Sequence, residues 1–137
     1  DQPKVAVLAA VETVNATMPA TLDAAALTVM AARGQITGAL VDGPLAFDNA
    51  ISPEAVATKG IVSQVAGEAD ILLVPDLEAG NMLAKQLIYF AGATAAGLVL
   101  GARVPIVLTS RADPLSARIA SAALAKLVAV RKAEGKA

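Results

Sequence analysis

Short runs of Val, Leu and Ile recur along this chain, and each is continuous in apolar side chains. They include Lys4-Val5-Ala6-Val7-Leu8-Ala9, Gly38-Ala39-Leu40-Val41 and Asp70-Ile71-Leu72-Leu73-Val74. A strand of this kind buries both of its faces, as strands do in a parallel sheet covered by helices. Longer stretches between the runs carry apolar residues at helical spacing. Strands and helices in alternation point to an α/β layered fold. The chain is 56% hydrophobic but only 2% aromatic, as expected of Ala-rich helices on Val/Ile/Leu strands. At 137 residues, a single domain over 1–137 is the expectation.

The elements are expected as follows. Strand 4–9 leads through a loop to helix 20–33, with Leu22, Ala26, Val29/Met30 and Arg33 on one face and Gly34 as its stop. Strand 38–41 is ended by a turn at Asp42-Gly43-Pro44, and Asp48-Asn49 is a second turn in the same loop. Ser52-Pro53-Glu54 starts a helix, with Ser as cap and Pro at the first position, weak near Gly60 and restarting before Gly67. Strand 70–74 ends at Pro75-Asp76, and Leu83, Leu87 and Phe90/Ala91 define the next helix, stopping near Gly92. Lys85 and Tyr89 are its solvated and packed faces. Strands 96–100 and 105–108, a turn at 109–113 and a helix over 114–132 follow. That helix has Leu115, Ile119, Ala123, Leu127 and Val130 on one face. The tail 133–137 is expected to fray.

The absence of Cys and His removes disulfides, thiol nucleophiles and His-based triads. A formal net charge of -1 argues against nucleic-acid binding. No ligand cluster calls for a metal. The start, Asp1-Gln2-Pro3-Lys4, does not read as a signal peptide, and no stretch matches a membrane span, so a cytoplasmic protein is expected. The lack of an initial Met is expected of a fragment or a processed chain.

Three polar segments follow three of the apolar strands: Asp42-Gly43-Pro44, Pro75-Asp76-Leu77-Glu78-Ala79-Gly80-Asn81, and Thr109-Ser110-Arg111-Ala112-Asp113. If the strands run parallel, these segments meet at the carboxyl rim, where open α/β sheets bind ligands. Arg111 offers a planar fork for phosphate or carboxylate, just before a helix. Pairing with Asp113 or Asp76 is the structural alternative. Asp113 precedes Pro114 and fits an N-cap. Gly80 permits close approach to a ligand, while Asn81 either orients an oxygen or caps a helix.

Val74-Pro75-Asp76-Leu77-Glu78-Ala79-Gly80-Asn81 resembles the "PD-x-x-AGN" signature of phosphate acetyltransferases and phosphate butyryltransferases. Asp42-Gly43-Pro44-Leu45-Ala46-Phe47-Asp48-Asn49-Ala50 resembles that family's "DGPL-x-x-D-x-A" loop, and Pro105-Ile106-Val107-Leu108-Thr109-Ser110-Arg111-Ala112-Asp113 its late Ser-Arg motif, whose Leu-Thr-Ser-Arg-Ala-Asp form is closer to the butyryl branch. The resemblance implies exchange of an acyl group between coenzyme A and inorganic phosphate, with coenzyme A as substrate and no tightly bound cofactor. It implies one of two domains of a three-layer αβα fold similar to isocitrate and isopropylmalate dehydrogenases. This chain would be the second domain, with an N-terminal domain, in some members behind an enoyl-CoA hydratase-like domain, in the same protein.

By the same resemblance Arg111 binds the phosphoryl group and Ser110 hydrogen-bonds the acyl phosphate. Asp42, Gly43, Pro44, Asp76, Gly80, Asn81 and Thr109 join the substrate site. The aspartate that acetyl-type members use as base falls on Ala117, which leaves Asp113, Asp76 or no side chain in that role. Two other readings stay open: a non-catalytic dimerisation or regulatory domain, and a dehydrogenase of related fold. A homodimer is expected, and the apolar region 82–100 suits either a helical interface or a domain core.

Overall fold

The first apolar run forms strand β1 (Lys4–Leu8), in which Ala6, Val7 and Leu8 are 0%, 4% and 6% exposed. In this computed structural model, which describes residues 2–135, β1 is the middle strand of a three-stranded parallel sheet. Its neighbours are β2 (Leu40–Leu45) and β3 (Ile71–Leu73), and Val5 stands opposite both Val41 and Ile71. The central place accounts for the unbroken apolar run, since both faces of β1 are covered. The chain divides into two compact units, Asp1–Met82 and Leu83–Ala137.

In the first unit, parallel pairing requires crossovers. Helix α1 (Pro19–Ala32) links β1 to β2, and helices α2 (Phe47–Ile51) and α3 (Pro53–Lys59) link β2 to β3. The residues that α1 buries are small ones. Thr21 and Ala24 are fully buried, whereas Leu22 and Val29 are 44% and 46% exposed. The helix lies close to β2, with the Thr28 hydroxyl 3.1 Å from the Gly43 carbonyl oxygen, so small side chains make the contact.

Asp42-Gly43-Pro44 is not a turn after a strand; it lies inside β2. The pairing with β1 shifts between Ala6 and Leu8 at this point. A Cβ on Gly43 would come 2.6 Å from the Val7 carbonyl oxygen, so only glycine fits. β2 is an edge strand, where a proline without N–H is tolerated, and the Gly43–Pro44 peptide is cis. Asp48-Asn49, read as a turn, belongs to α2. Ser52 caps α3 as expected, accepting the Ala55 N–H at 3.2 Å, and Gly60 closes it in the left-handed region at φ 63°. The helix does not restart before Gly67. There the Ser63 hydroxyl accepts the N–H groups of Val65 and Ala66, each at 3.0 Å, and turns the chain instead.

Helix α4 (Leu77–Tyr89) follows β3. Lys85 and Tyr89 lie one turn apart on one face, the ammonium 6.0 Å from the ring centre. Tyr89 is 67% exposed and not packed inward as expected.

In the second unit, β4 (Leu98–Val99) and β5 (Ile106–Val107) pair antiparallel, Leu98 opposite Val107. The link of residues 100–105 turns at Gly101, φ 87°. A link this short returns the chain antiparallel, because a parallel return takes about a dozen residues. Helix α5 (Leu115–Ala133) covers the pair. Ala117 and Ser121 are its buried residues, while Leu115, Ile119 and Leu127, expected on one face, are 72%, 61% and 64% exposed. The Ser121 hydroxyl accepts the Gly97 N–H at 3.0 Å and donates to the Ala117 carbonyl at 2.7 Å, which sets a close contact of small residues. Ala133 is helical, although a frayed tail was expected from that residue on; Lys136 and Ala137 lie outside the described residues. Among the described residues, no helix is long and apolar enough to cross a membrane.

Candidate functional site

Because β1, β2 and β3 are parallel, their carboxyl ends share one edge of the first unit's sheet. Asp76 lies just beyond β3 at this edge. Its Oδ1 accepts the Ala79 N–H at 2.7 Å, so it caps the start of α4. The capping role considered for Asn81 therefore falls to Asp76, and Asn81 is an exposed residue within the helix. A Cβ on Gly80 would come 2.8 Å from Val74 Cγ2, so glycine there makes room for the end of the strand segment. Asp42 Oδ1 accepts the Gly43 N–H at 2.9 Å, and Pro44 is buried.

The same unit holds a polar cluster that the sequence reading missed. Glu12 lies in the segment that follows β1. Its Oε2 accepts from Asn49 Nδ2 at 3.1 Å and lies 3.5 Å from Lys59 Nζ, which also pairs with Asp48 at 3.0 Å. Asn49 is fully buried, and its Oδ1 has no hydrogen-bond partner among the described residues. The hydrogen bond from Lys59 holds the Asp48 carboxyl below its ordinary pKa, and the same bond raises Lys59. Glu12 is lowered first by its own backbone N–H, then by Asn49, and less by Lys59. Asp48-Asn49 stood inside a recognised motif, which was a usable signal. Nothing in the local pattern marked Glu12.

In the second unit, Ser110 and Asp113 close a turn on each other. The Ser110 N–H donates to Asp113 Oδ2 at 2.6 Å, and the Asp113 N–H donates to the Ser110 carbonyl at 3.1 Å. The Ala112 N–H reaches Ser110 Oγ at 3.4 Å. Asp113 therefore does not cap α5, as expected from Asp113-Pro114. Pro114 itself is the cap residue, extended at φ -66° and ψ 164°, which leaves Asp113 one position too early. Arg111 is at the corner of the turn and exposed; within this unit its guanidinium has no hydrogen bond or ion pair among the described residues. Asp113, one of its two considered partners, holds backbone instead. Arg118 Nη2 lies 3.5 Å from the Arg111 carbonyl, a contact the sequence reading did not anticipate. Ala117, where a base was sought, is 4% exposed and packs in the core.

Of the three polar segments, only Asp76 to Asn81 follow a strand of the parallel sheet, whereas Asp42-Gly43-Pro44 lies within β2. Thr109 to Asp113 follow a strand of a separate antiparallel sheet. Among the described residues, no group of three or more Asp or Glu side chains is gathered where a metal ion could bind.

The pattern of the family described as phosphate acetyl/butaryl transferase matches residues 1–126. The chain belongs to this family. It is 66% identical over 131 residues to a phosphate acetyltransferase of Rhizobium meliloti, covering 96% of this chain and 42% of that protein. A probable phosphate butyryltransferase of Bacillus subtilis is 60% identical over 125 residues, covering 91% and 42%. Among solved structures, a branched-chain phosphotransacylase from Enterococcus faecalis matches with TM-score 0.80 at 41% identity, covering 91% of this chain and 45% of that one. The α/β fold with a parallel sheet is thus that of solved phosphotransacylases. The chain spans less than half the length of these relatives. The motifs on which the family resemblance was built fall in β2 and α2, at the cap of α4, and in the turn before α5.

Proposed function

We propose that this chain is part of an enzyme that moves a short acyl group between coenzyme A and inorganic phosphate. The observation that carries the reading is Arg111, exposed and unpaired within its unit among the described residues, at the corner of a turn that Ser110 and Asp113 hold closed. Family membership supports reading that anion as the phosphate of an acyl phosphate.

In the direction of thioester formation, the coenzyme A sulfur attacks the acyl carbonyl. A C–S bond forms, the C–O bond to phosphate breaks, and phosphate leaves with its electron pair. Arg111 binds the phosphoryl oxygens and offsets the charge that grows on them. Ser110 donates a hydrogen bond to the acyl phosphate. A thiol ionises in part near neutral pH, so its proton can pass to water without a dedicated base. Thr109 in the second unit, and Asp42, Gly43, Pro44, Asp76, Gly80 and Asn81 in the first, are each proposed to contact substrate. Coenzyme A acts as a substrate, with no tightly bound cofactor.

Relatives named for acetyl and for butyryl transfer are both similar to this chain, so short acyl groups are the proposed range. The full architecture proposed is the three-layer αβα sandwich similar to isocitrate and isopropylmalate dehydrogenases, in a cytoplasmic homodimer. The test is an assay of the protein with acetyl, propionyl and butyryl phosphate, following thiol consumption. Coenzyme A-dependent loss of acyl phosphate supports the reading; no consumption with any of the three defeats it.

A further inference from the structure

We infer that Asp113 is a positioning residue that fixes the turn of Ser110 and Arg111, and is not the base for the thiol; this rests on the acyl-transfer reading above. Two hydrogen bonds join the same two residues. Asp113 Oδ2 accepts the Ser110 N–H at 2.6 Å, and the Asp113 N–H donates to the Ser110 carbonyl at 3.1 Å. Arg111 and Ala112 are thereby closed into the corner. The Ser110 hydroxyl adds a contact to the Ala112 N–H at 3.4 Å, and Arg118 braces the Arg111 carbonyl at 3.5 Å from the first turns of α5.

The backbone of Arg111 is thus held from both sides, while its guanidinium stays uncommitted within the unit among the described residues. That division suits a residue whose side chain must meet an anion in a fixed place. The charge on Asp113 strengthens its bond to the Ser110 N–H, because an ionised acceptor makes a bond roughly twice as strong as a neutral one. A base gives up its charge when it takes a proton. Protonating Asp113 would loosen the turn just as charge builds on the departing phosphate that Arg111 must hold.

The test compares Asp113→Asn with Asp113→Ala. Asn keeps an acceptor oxygen for the Ser110 N–H but cannot serve as a base. Inorganic phosphate is titrated against the Arg111 Nε signal by NMR, and coenzyme A-dependent turnover of acyl phosphate is followed across pH. The Asn variant is expected to lose about fivefold in turnover with an unshifted pH profile. The Ala variant is expected to lose about 100-fold through displacement of Arg111, and to bind phosphate more weakly by about tenfold.

A fall of about 100-fold or more in the Asn variant, with phosphate binding kept and the acid limb of the profile gone, would make Asp113 the base and overturn the inference. Phosphate binding in the Ala variant equal to wild type would overturn it as well. If the Ala variant does not fold, the pH profile of the Asn variant decides. If the wild-type protein binds phosphate at Arg111 but turns over no acyl phosphate, the acyl-transfer reading fails alone. The titration then still decides whether Asp113 holds the turn.

Discussion

Gly97 presses on the carbonyl of Leu108 so closely that a Cβ on Gly97 would come 2.1 Å from that oxygen. The Leu108 N–H also donates to the Gly97 carbonyl at 3.1 Å, so the two backbones touch just where β4 and β5 begin and end. Leu108 is two residues before Ser110, and the contact sets where the proposed anion-binding turn starts. Gly97→Ala must push the two strands apart. It is expected to destabilise the protein by about 1–3 kcal/mol, the usual range for an added methyl group with no space. Urea denaturation measures it, and an Ala variant as stable as wild type would contradict the close contact.

Asn49 is fully buried and donates to Glu12 at 3.1 Å, linking α2 to the segment after β1. Asn49→Ala removes that donor and leaves a space where the carboxamide stood. A loss of about 1–3 kcal/mol in urea denaturation is expected, the usual worth of a hydrogen bond to a charged acceptor. Stability unchanged from wild type would show that the Glu12 link contributes nothing.

Lys59 binds both Asp48 and Glu12, but unequally. Its hydrogen bond is the first cause of the lowered pKa of Asp48, whereas Glu12 is lowered first by its own backbone N–H and then by Asn49. In Lys59→Met the pKa of Asp48 should therefore rise more than that of Glu12, as read from carboxyl carbon chemical shifts against pH. A larger rise at Glu12 would reverse the assignment of partners.

The same cluster predicts how stability varies with pH. Asp48 and Glu12 have folded pKa values below their ordinary ones, so their contribution is complete above the ordinary carboxylate range. It is lost as pH falls through the lowered folded values. Lys59 is raised, so its contribution is complete below the ordinary lysine value and is lost as pH rises through the raised one. The stability difference between wild type and Lys59→Met should therefore shrink at both ends of the pH range. Urea midpoints at a series of pH values test this, and a constant difference would contradict it.

The sequence made the sheet legible where one principle acted alone. β1 reads as a buried parallel strand because Val5, Ala6, Val7 and Leu8 are apolar without a break, and it is the central strand. Ser52-Pro53 gave the start of α3 because capping is a local interaction. Helical spacing of apolar residues marked the helices but not which face of each is buried. Close approach of α1 to Gly43 selects Ala24, and of α5 to Gly97 selects Ser121. Such approach depends on pairs distant in sequence.

At the candidate site, Ser110 and Arg111 were legible as a turn beside a helix. The partner of Asp113 was not, since Asp-Pro before a helix fits a cap equally well. The extended backbone of Pro114 puts the cap position there, and the hydrogen bond from the Ser110 N–H shows that the carboxylate folds back. Glu12 was hidden because its partners Asn49 and Lys59 meet it only through the fold.

The most direct test of the acyl-transfer account is the turnover of acyl phosphate with coenzyme A in Arg111→Ala, beside Arg111→Lys. The Ala variant should lose about 100- to 1000-fold in kcat, as when a donor to transition-state charge is removed. The Lys variant, which keeps the charge but not the planar fork, should recover part of that loss. Turnover by the Ala variant near that of wild type would contradict the role given to Arg111.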